Sequence, residues 1–323
     1  MRTKLVLYSF IIFLLTSFLL SCGDSYDQYT EDLNNNDEET LTEDHNGFQL
    51  LETSCFSCHN PDANASAVTA PNMAEVKRVY LAQHESEEDF VDAITSFLSD
   101  PSKEKAIMKD AVENFGVMPN MSFGKAMSEA VGRYLYSSTI QDSGWYANSY
   151  ALEKAKNLKD PSEMSYLDRG FQFAMSTKSV LGKNLKGKIN TEGTDGALEF
   201  CNLNAFHLTD SMATEFGVKI KRVSDKNRNP NNLANNDELA IIQSFKEQLE
   251  KGEEITSTTK EMDNVVIGYY PILTNDMCLQ CHGTSKEIKP STAELIKQKY
   301  PNDKGIGYGV NQLRGIWVVE MQK

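Results

Sequence analysis

The chain has 323 residues, of which 40% are hydrophobic and 24% charged, the balance of a soluble globular protein and not of a disordered or multi-span membrane one. Its formal net charge of -14 argues against a nucleic-acid partner, which would call for an excess of lysine and arginine. That acidity suits solubility or the steering of a basic redox partner, and the length allows two domains of ordinary size.

At the N-terminus, Arg2 and Lys4 form a short basic head before an apolar run from Leu5 to Leu20, closed by Leu19-Leu20-Ser21-Cys22. The run is short for a spanning helix and matches the hydrophobic core of an export signal. The Leu-Leu-Ser-Cys ending resembles the bacterial lipobox, which implies cleavage before Cys22 and a diacylglycerol on its thiol. The alternative is an ordinary export signal with a coincidental cysteine. Several acyl chains on one residue would hold the mature protein at a membrane, facing the periplasm or cell exterior. Residues 23–44 contain Asn34-Asn35-Asn36-Asp37-Glu38-Glu39 and almost nothing apolar, so an acidic, flexible tether is expected.

Residues 45–139 are predicted to be helical. Phe48, Leu50 and Leu51 lead into Cys55-Phe56-Ser57-Cys58-His59, and a second helix follows Pro71 with Val76, Val79, Tyr80 and Leu81. A third starts at a capping signal, Ser86 to Asp89, carries Phe90, Ile94 and Phe97, and ends at Pro101. The last begins near Ser122 and presents Phe123, Met127, Val131, Tyr134 and Leu135. Ahead of it lies the loop Phe115-Gly116-Val117-Met118-Pro119-Asn120-Met121.

Residues 140–161 read as a linker, and 162–323 as a second domain. Helices are expected over Ser162 to Leu181, Gly196 to Phe216 and Asp237 to Lys251, then strands over Val265 to Tyr270 and Gly315 to Val319. Helices first and strands later make this an α+β domain, unlike the all-α first one. It contains Cys278-Leu279-Gln280-Cys281-His282.

Both pentapeptides are C-x-x-C-H, the spacing for covalent attachment of a c-type haem. Two thiols about one helical turn apart can reach the vinyl groups of one porphyrin, and the adjacent imidazole is a good iron ligand. The alternatives are zinc, or disulfide redox chemistry. Four-thiolate zinc sites usually keep their pairs about 15 to 20 residues apart, whereas here the pairs stand near opposite ends of the chain. Two covalently bound haems are therefore expected. With Cys22 assigned to lipid, only Cys201 is left over, and no pair remains for a structural disulfide.

The first unit resembles a class I cytochrome c. The resemblance rests on Gly47-Phe48 before the motif, Ala70-Pro71 after it, and Met118-Pro119 ahead of a helix with Gly132 and Tyr134. It implies that the Pro71 carbonyl orients His59 and that Met118 ligates the iron from the far side, with Met121 as rival. The second unit resembles a family of exported haem-binding domains with a PAS-like fold, which occur alone or as sensing parts of signalling proteins. The carrying residues are Ala197 to Cys201, Arg222 to Pro230, Tyr270-Pro271-Ile272, the second motif with Gly283, Asp303 to Tyr308, and Arg314-Gly315. It implies iron held by His282 and Cys201.

His207 is one alternative to Cys201, although it lies about 240° around the helix from it, so the two cannot face one cofactor. An open sixth site is the other. Arg222 and Arg228 are candidates for haem propionates or are simply solvated. The leading expectation is a membrane-tethered dihaem electron carrier working between redox proteins. A redox or gas sensor and a dihaem peroxidase are the alternatives, the last weakened by the want of a distal acid–base group in the sequence.

Overall fold

The structure is a computed structural model describing residues 46–323, apart from 57, 61–68, 122, 141–143, 158–159 and 254. The expected export signal, Cys22 and the acidic tether lie outside the described residues. Among the described residues, no helix is long and apolar enough to cross a membrane.

The chain opens with α1 (Gly47–Leu50), whose first turn is capped by the Asn46 side chain accepting from the Gln49 N–H. It runs straight into a π-helical turn, Leu51–Cys55, that delivers the first motif. α2 (Met73–Leu81) and α3 (Glu87–Ser99) follow, capped by Asn72 and Ser86. α3 buries Phe90, Val91, Ile94 and Leu98, and Ile94, Phe97 and Leu98 line a cavity. α4 (Lys109–Phe115) has an apolar stripe of Ala111, Val112 and Phe115 that also faces the cavity, a pattern too short to declare a helix in the sequence. α5 (Lys125–Ser137) starts three residues after the expected Ser122 and packs on α1 and α3. The α1–α5 crossing is close because Gly47 has no side chain; a Cβ there would overlap the Ala130 carbonyl.

Residues 140–161 are not a bare linker. They form α6 (Gly144–Asn148) and α7 (Tyr150–Asn157), and Trp145 and Tyr150 pack edge-on against Phe56. Burial of these aromatic rings supplies the order that the polar stretch around them lacks.

α8 (Tyr166–Phe216) is kinked at Gly193, where φ is +70 and the backbone leaves the helical region. The two helices expected here are thus the two limbs of α8, and the first runs past Leu181 because nothing in Gly182 to Glu192 stops it. Beyond it come β1 (Lys219–Val223), α9 (Asn236–Glu250), β2 (Thr258–Glu261), β3 (Val265–Leu273), α10 (Asp276–His282), α11 (Pro290–Lys299) and β4 (Leu313–Gln322). The sheet is antiparallel, with order β1-β4-β3-β2. β3 runs through Pro271 to Leu273, past the end expected at Tyr270. β2 pairs only as far as Tyr269, so the proline sits past the last rung on that side.

Alternation along β4 gives the sheet two dressed faces. Trp317, Val319 and Met321 join a core that includes Phe171 and Ala174 of α8, whereas Ile316 and Val318 pack with Ile242 and Phe245 of α9. The first of these cores continues to Phe48, Phe90 and Leu135. One apolar interior therefore runs from the helical first part to the sheet.

Candidate functional site

At the first motif, Cys55 is buried and His59 continues the turn, its N–H donating to the Cys55 carbonyl at 2.8 Å. The Nδ1 atom of His59 lies 2.8 Å from the carbonyl oxygen of Pro71. A carbonyl can only accept, so Nδ1 carries the hydrogen and Nε2 keeps its lone pair. Burial, with Lys186 adding to it, holds this imidazole below its ordinary pKa against the Pro71 hydrogen bond. It is a neutral donor, the form that binds a metal.

The second motif occupies α10, whose N-terminus is capped by the Asn275 side chain accepting from the Cys278 N–H at 3.1 Å. Here His282 Nδ1 lies 2.6 Å from the Gly305 carbonyl oxygen, which fixes the same tautomer. Arg314 Nε is 3.3 Å from the same nitrogen; with the Nδ1 hydrogen committed to Gly305, the guanidinium acts there as a neighbouring charge. Burial first, then Arg314 and Arg228, keep His282 well below the usual histidine range. Arg228 donates from Nη2 to the Cys281 carbonyl at 2.6 Å and from Nε to Asp303 at 3.0 Å. That guanidinium braces the motif. Arg222 lies over the Trp317 ring, 5.3 Å from its centre, on the cavity wall.

The two motifs are brought to one cavity of about 320 Å³ with predominantly apolar walls. From the first site it is lined by Cys55, Cys58, His59, Pro71, Met118 and Met121. From the second it is lined by Cys201, Arg222, Cys278 and Trp317. Cys281 and His282 are not part of its wall. Burial pushes the thiols of Cys201 and Cys281 up, the latter to about 11, and the two are close enough to influence each other. Arg222 and Arg228 oppose that rise at Cys201. His207 is exposed on α8 and does not reach the cavity.

Sequence reasoning missed several groups. Lys178 and Lys186 of α8 line the cavity; Lys178 donates to the Asn120 carbonyl at 3.1 Å and Lys186 to that of Thr69 at 2.6 Å. Lys178 stands three and four positions from buried Met175 and Ala174, but lysines on a helix look like an ordinary solvated face in a sequence. Arg314 was visible only as part of a motif.

The cofactor that the motifs call for can be tested against these residues. The cavity is large and apolar, is reached by thiols from both C-x-x-C pairs, and His59 on its wall offers an unprotonated Nε2. None of the five described cysteines is in a disulfide. Among the described residues, no three His, Cys, Asp or Glu side chains converge as a metal cluster, so the thiol pairs are not arranged as one zinc site. The residues of the first site fit a haem; at the second, Cys201 and Cys278 border the same cavity, while His282 offers an unprotonated Nε2 without bordering it.

A family model, Tll0287-like, matches residues 104–322. The chain belongs to the Tll0287-like family. The match begins ahead of Met118, so this Tll0287-like region takes in the methionine loop and α5 to α7 as well as the sheet. Among solved structures, the cyanobacterial haem protein Tll0287 is similar at 20% identity and a TM-score of 0.37, covering 46% of this chain and 92% of that one. No curated protein matches the sequence.

Proposed function

We propose that this Tll0287-like chain is a dihaem c-type cytochrome that carries single electrons between exported redox proteins, tethered to a membrane through lipid on Cys22. The observation that carries the reading is the matched pair of histidines. Each follows a C-x-x-C, each is half-buried and held by a downstream carbonyl at Nδ1, and desolvation keeps each below its ordinary pKa. Membership of a family that shares its name with a cyanobacterial haem protein is in keeping with it.

In this reading Cys55 and Cys58, and Cys278 and Cys281, form thioethers to the two porphyrins, and His59 and His282 are the proximal ligands. Met118, with Met121 as rival, completes the first site in a class I cytochrome c-like arrangement. Cys201 completes the second, in an α+β, PAS-like setting. Bound haem supplies an iron that takes up and gives back one electron. The chain decides at what potential: a thioether ligand raises it and a thiolate lowers it. Arg222, beside Cys201 and over Trp317, is placed to stabilise a thiolate there or to meet a propionate.

The test is a potentiometric titration of the purified protein followed by visible absorption. Two one-electron steps at separated midpoints are expected; a single step with equal midpoints would remove the assignment of unlike distal ligands.

A further inference from the structure

The loop that carries Met118 and Met121 is fastened to the second motif by side chains that neither haem site requires. Asn120, between the two methionines and buried, donates from Nδ2 to the Ser99 carbonyl and to Asn311 Oδ1, both at 3.3 Å. Its own carbonyl accepts from Lys178. Asn311 in turn donates from Nδ2 to Asp100 at 2.9 Å and from its backbone N–H to the Thr274 carbonyl at 2.8 Å. Thr274 is fully buried, and the next residue, Asn275, caps the helix of the second motif at Cys278. Asn311 is also the one described non-glycine residue with positive φ, +57, a conformation that asparagine tolerates better than most residues. An unusual backbone conformation is thus kept at the point where the two sites are joined.

We propose that Asn120 and Asn311 are positioning residues that clamp the methionine loop of the first site to the N-terminus of the second motif's helix. The inference rests on the dihaem reading above. A buried amide with partners on two other segments has little freedom, so the loop's placement is set from outside the first site. Met118 is then presented to the cavity at a position that the second half of the chain determines. A change at Asn311, in the second half, should be felt by the ligand of the first haem.

The test uses the full-length holoprotein and the variant Asn311→Gly. Glycine adopts the same positive φ without strain, so the variant removes the side chain while leaving the turn its natural conformation. Haem per chain is counted first, by pyridine haemochrome against protein concentration. Then the methionine-to-iron charge-transfer absorption and the midpoint of the higher-potential haem are measured. The clamp predicts two haems per chain, a weakened methionine band and a lowered upper midpoint, with a smaller shift of the lower one. Asn120→Ala, which cuts the same link from the other side, should give the same pattern. An unmoved band and midpoint in both variants, with two haems retained, overturns the clamp and leaves the dihaem reading intact. Fewer than two haems in the unaltered chain overturns that reading and the clamp with it.

Discussion

His282 Nδ1 stands 2.6 Å from the carbonyl oxygen of Gly305, 23 residues further along the chain. The first motif solves the same problem with a different partner, Pro71, 12 residues on. In each case an imidazole is turned by a backbone acceptor, so the lone pair of Nε2 is left for a metal. A Cβ at Gly305 would come within 2.6 Å of Arg314 Nη2 and 3.1 Å of Asp303 Oδ1. Gly305→Ala is therefore expected to push Arg314 aside and turn His282. Covalent haem should remain at the second site while its midpoint potential moves, which titration of the variant against the parent would read.

Cys201 and His207 make a paired test of the distal ligand. Cys201 borders the cavity beside Arg222, and His207 is exposed. Electron paramagnetic resonance of the oxidised protein should show a thiolate-ligated low-spin signal that Cys201→Ala abolishes. His207→Ala should leave every g-value unchanged. Loss of the signal in the histidine variant alone would reverse the assignment.

The α1–α5 crossing gives a stability prediction independent of any cofactor chemistry. Gly47→Ala places a methyl group against the Ala130 carbonyl and within 2.6 Å of Tyr134 Cβ, backbone and branch point that cannot swing away. The expected loss is about 1–3 kcal/mol, the usual cost of overpacking, measured as a lowered urea midpoint with an unchanged slope.

Lys178 predicts a pH dependence. Burial, only partly opposed by Cys278, pushes its ammonium down from 10.5 to about 8. Its folded-state pKa is thus below its unfolded one, so below about 8 both states are protonated and the cost of burying the charge is fully present. Between about 8 and 10.5 the unfolded chain holds a proton that the folded chain has released, and stability from this group rises with pH. Lys178→Met should flatten that rise, as seen in denaturation midpoints taken across the window. A parallel pH profile for the variant and its parent would show that Lys178 does not titrate there.

How much of this was legible in the sequence follows from the range over which each feature is determined. The two motifs and the Ser86 cap are local patterns, and the structure has Ser86 capping α3. β1 and β2 were not legible. Lys219-Ile220-Lys221-Arg222-Val223 buries only Ile220 and Val223 among three cationic residues, and Thr258-Thr259-Lys260-Glu261 is an edge strand without an apolar residue. The order in residues 140–161 depends on Phe48 and Phe56, roughly a hundred positions away. Pairing of Asn120 with Asn311 spans 191 positions and has no local signature at all. Motif spacing reports which atoms a segment can offer, and only the fold reports which segments meet.

Four thiols, in two pairs, are held here to bind two haems covalently, and the most direct measurement is a stoichiometry. The protein, produced in a host that matures c-type cytochromes, would be denatured and extracted with acidified acetone. Two haems per chain are predicted to stay on the polypeptide, falling to one in Cys55→Ala/Cys58→Ala and to one in Cys278→Ala/Cys281→Ala. Colour that leaves with the solvent, or a chain that carries zinc in place of iron, would contradict this.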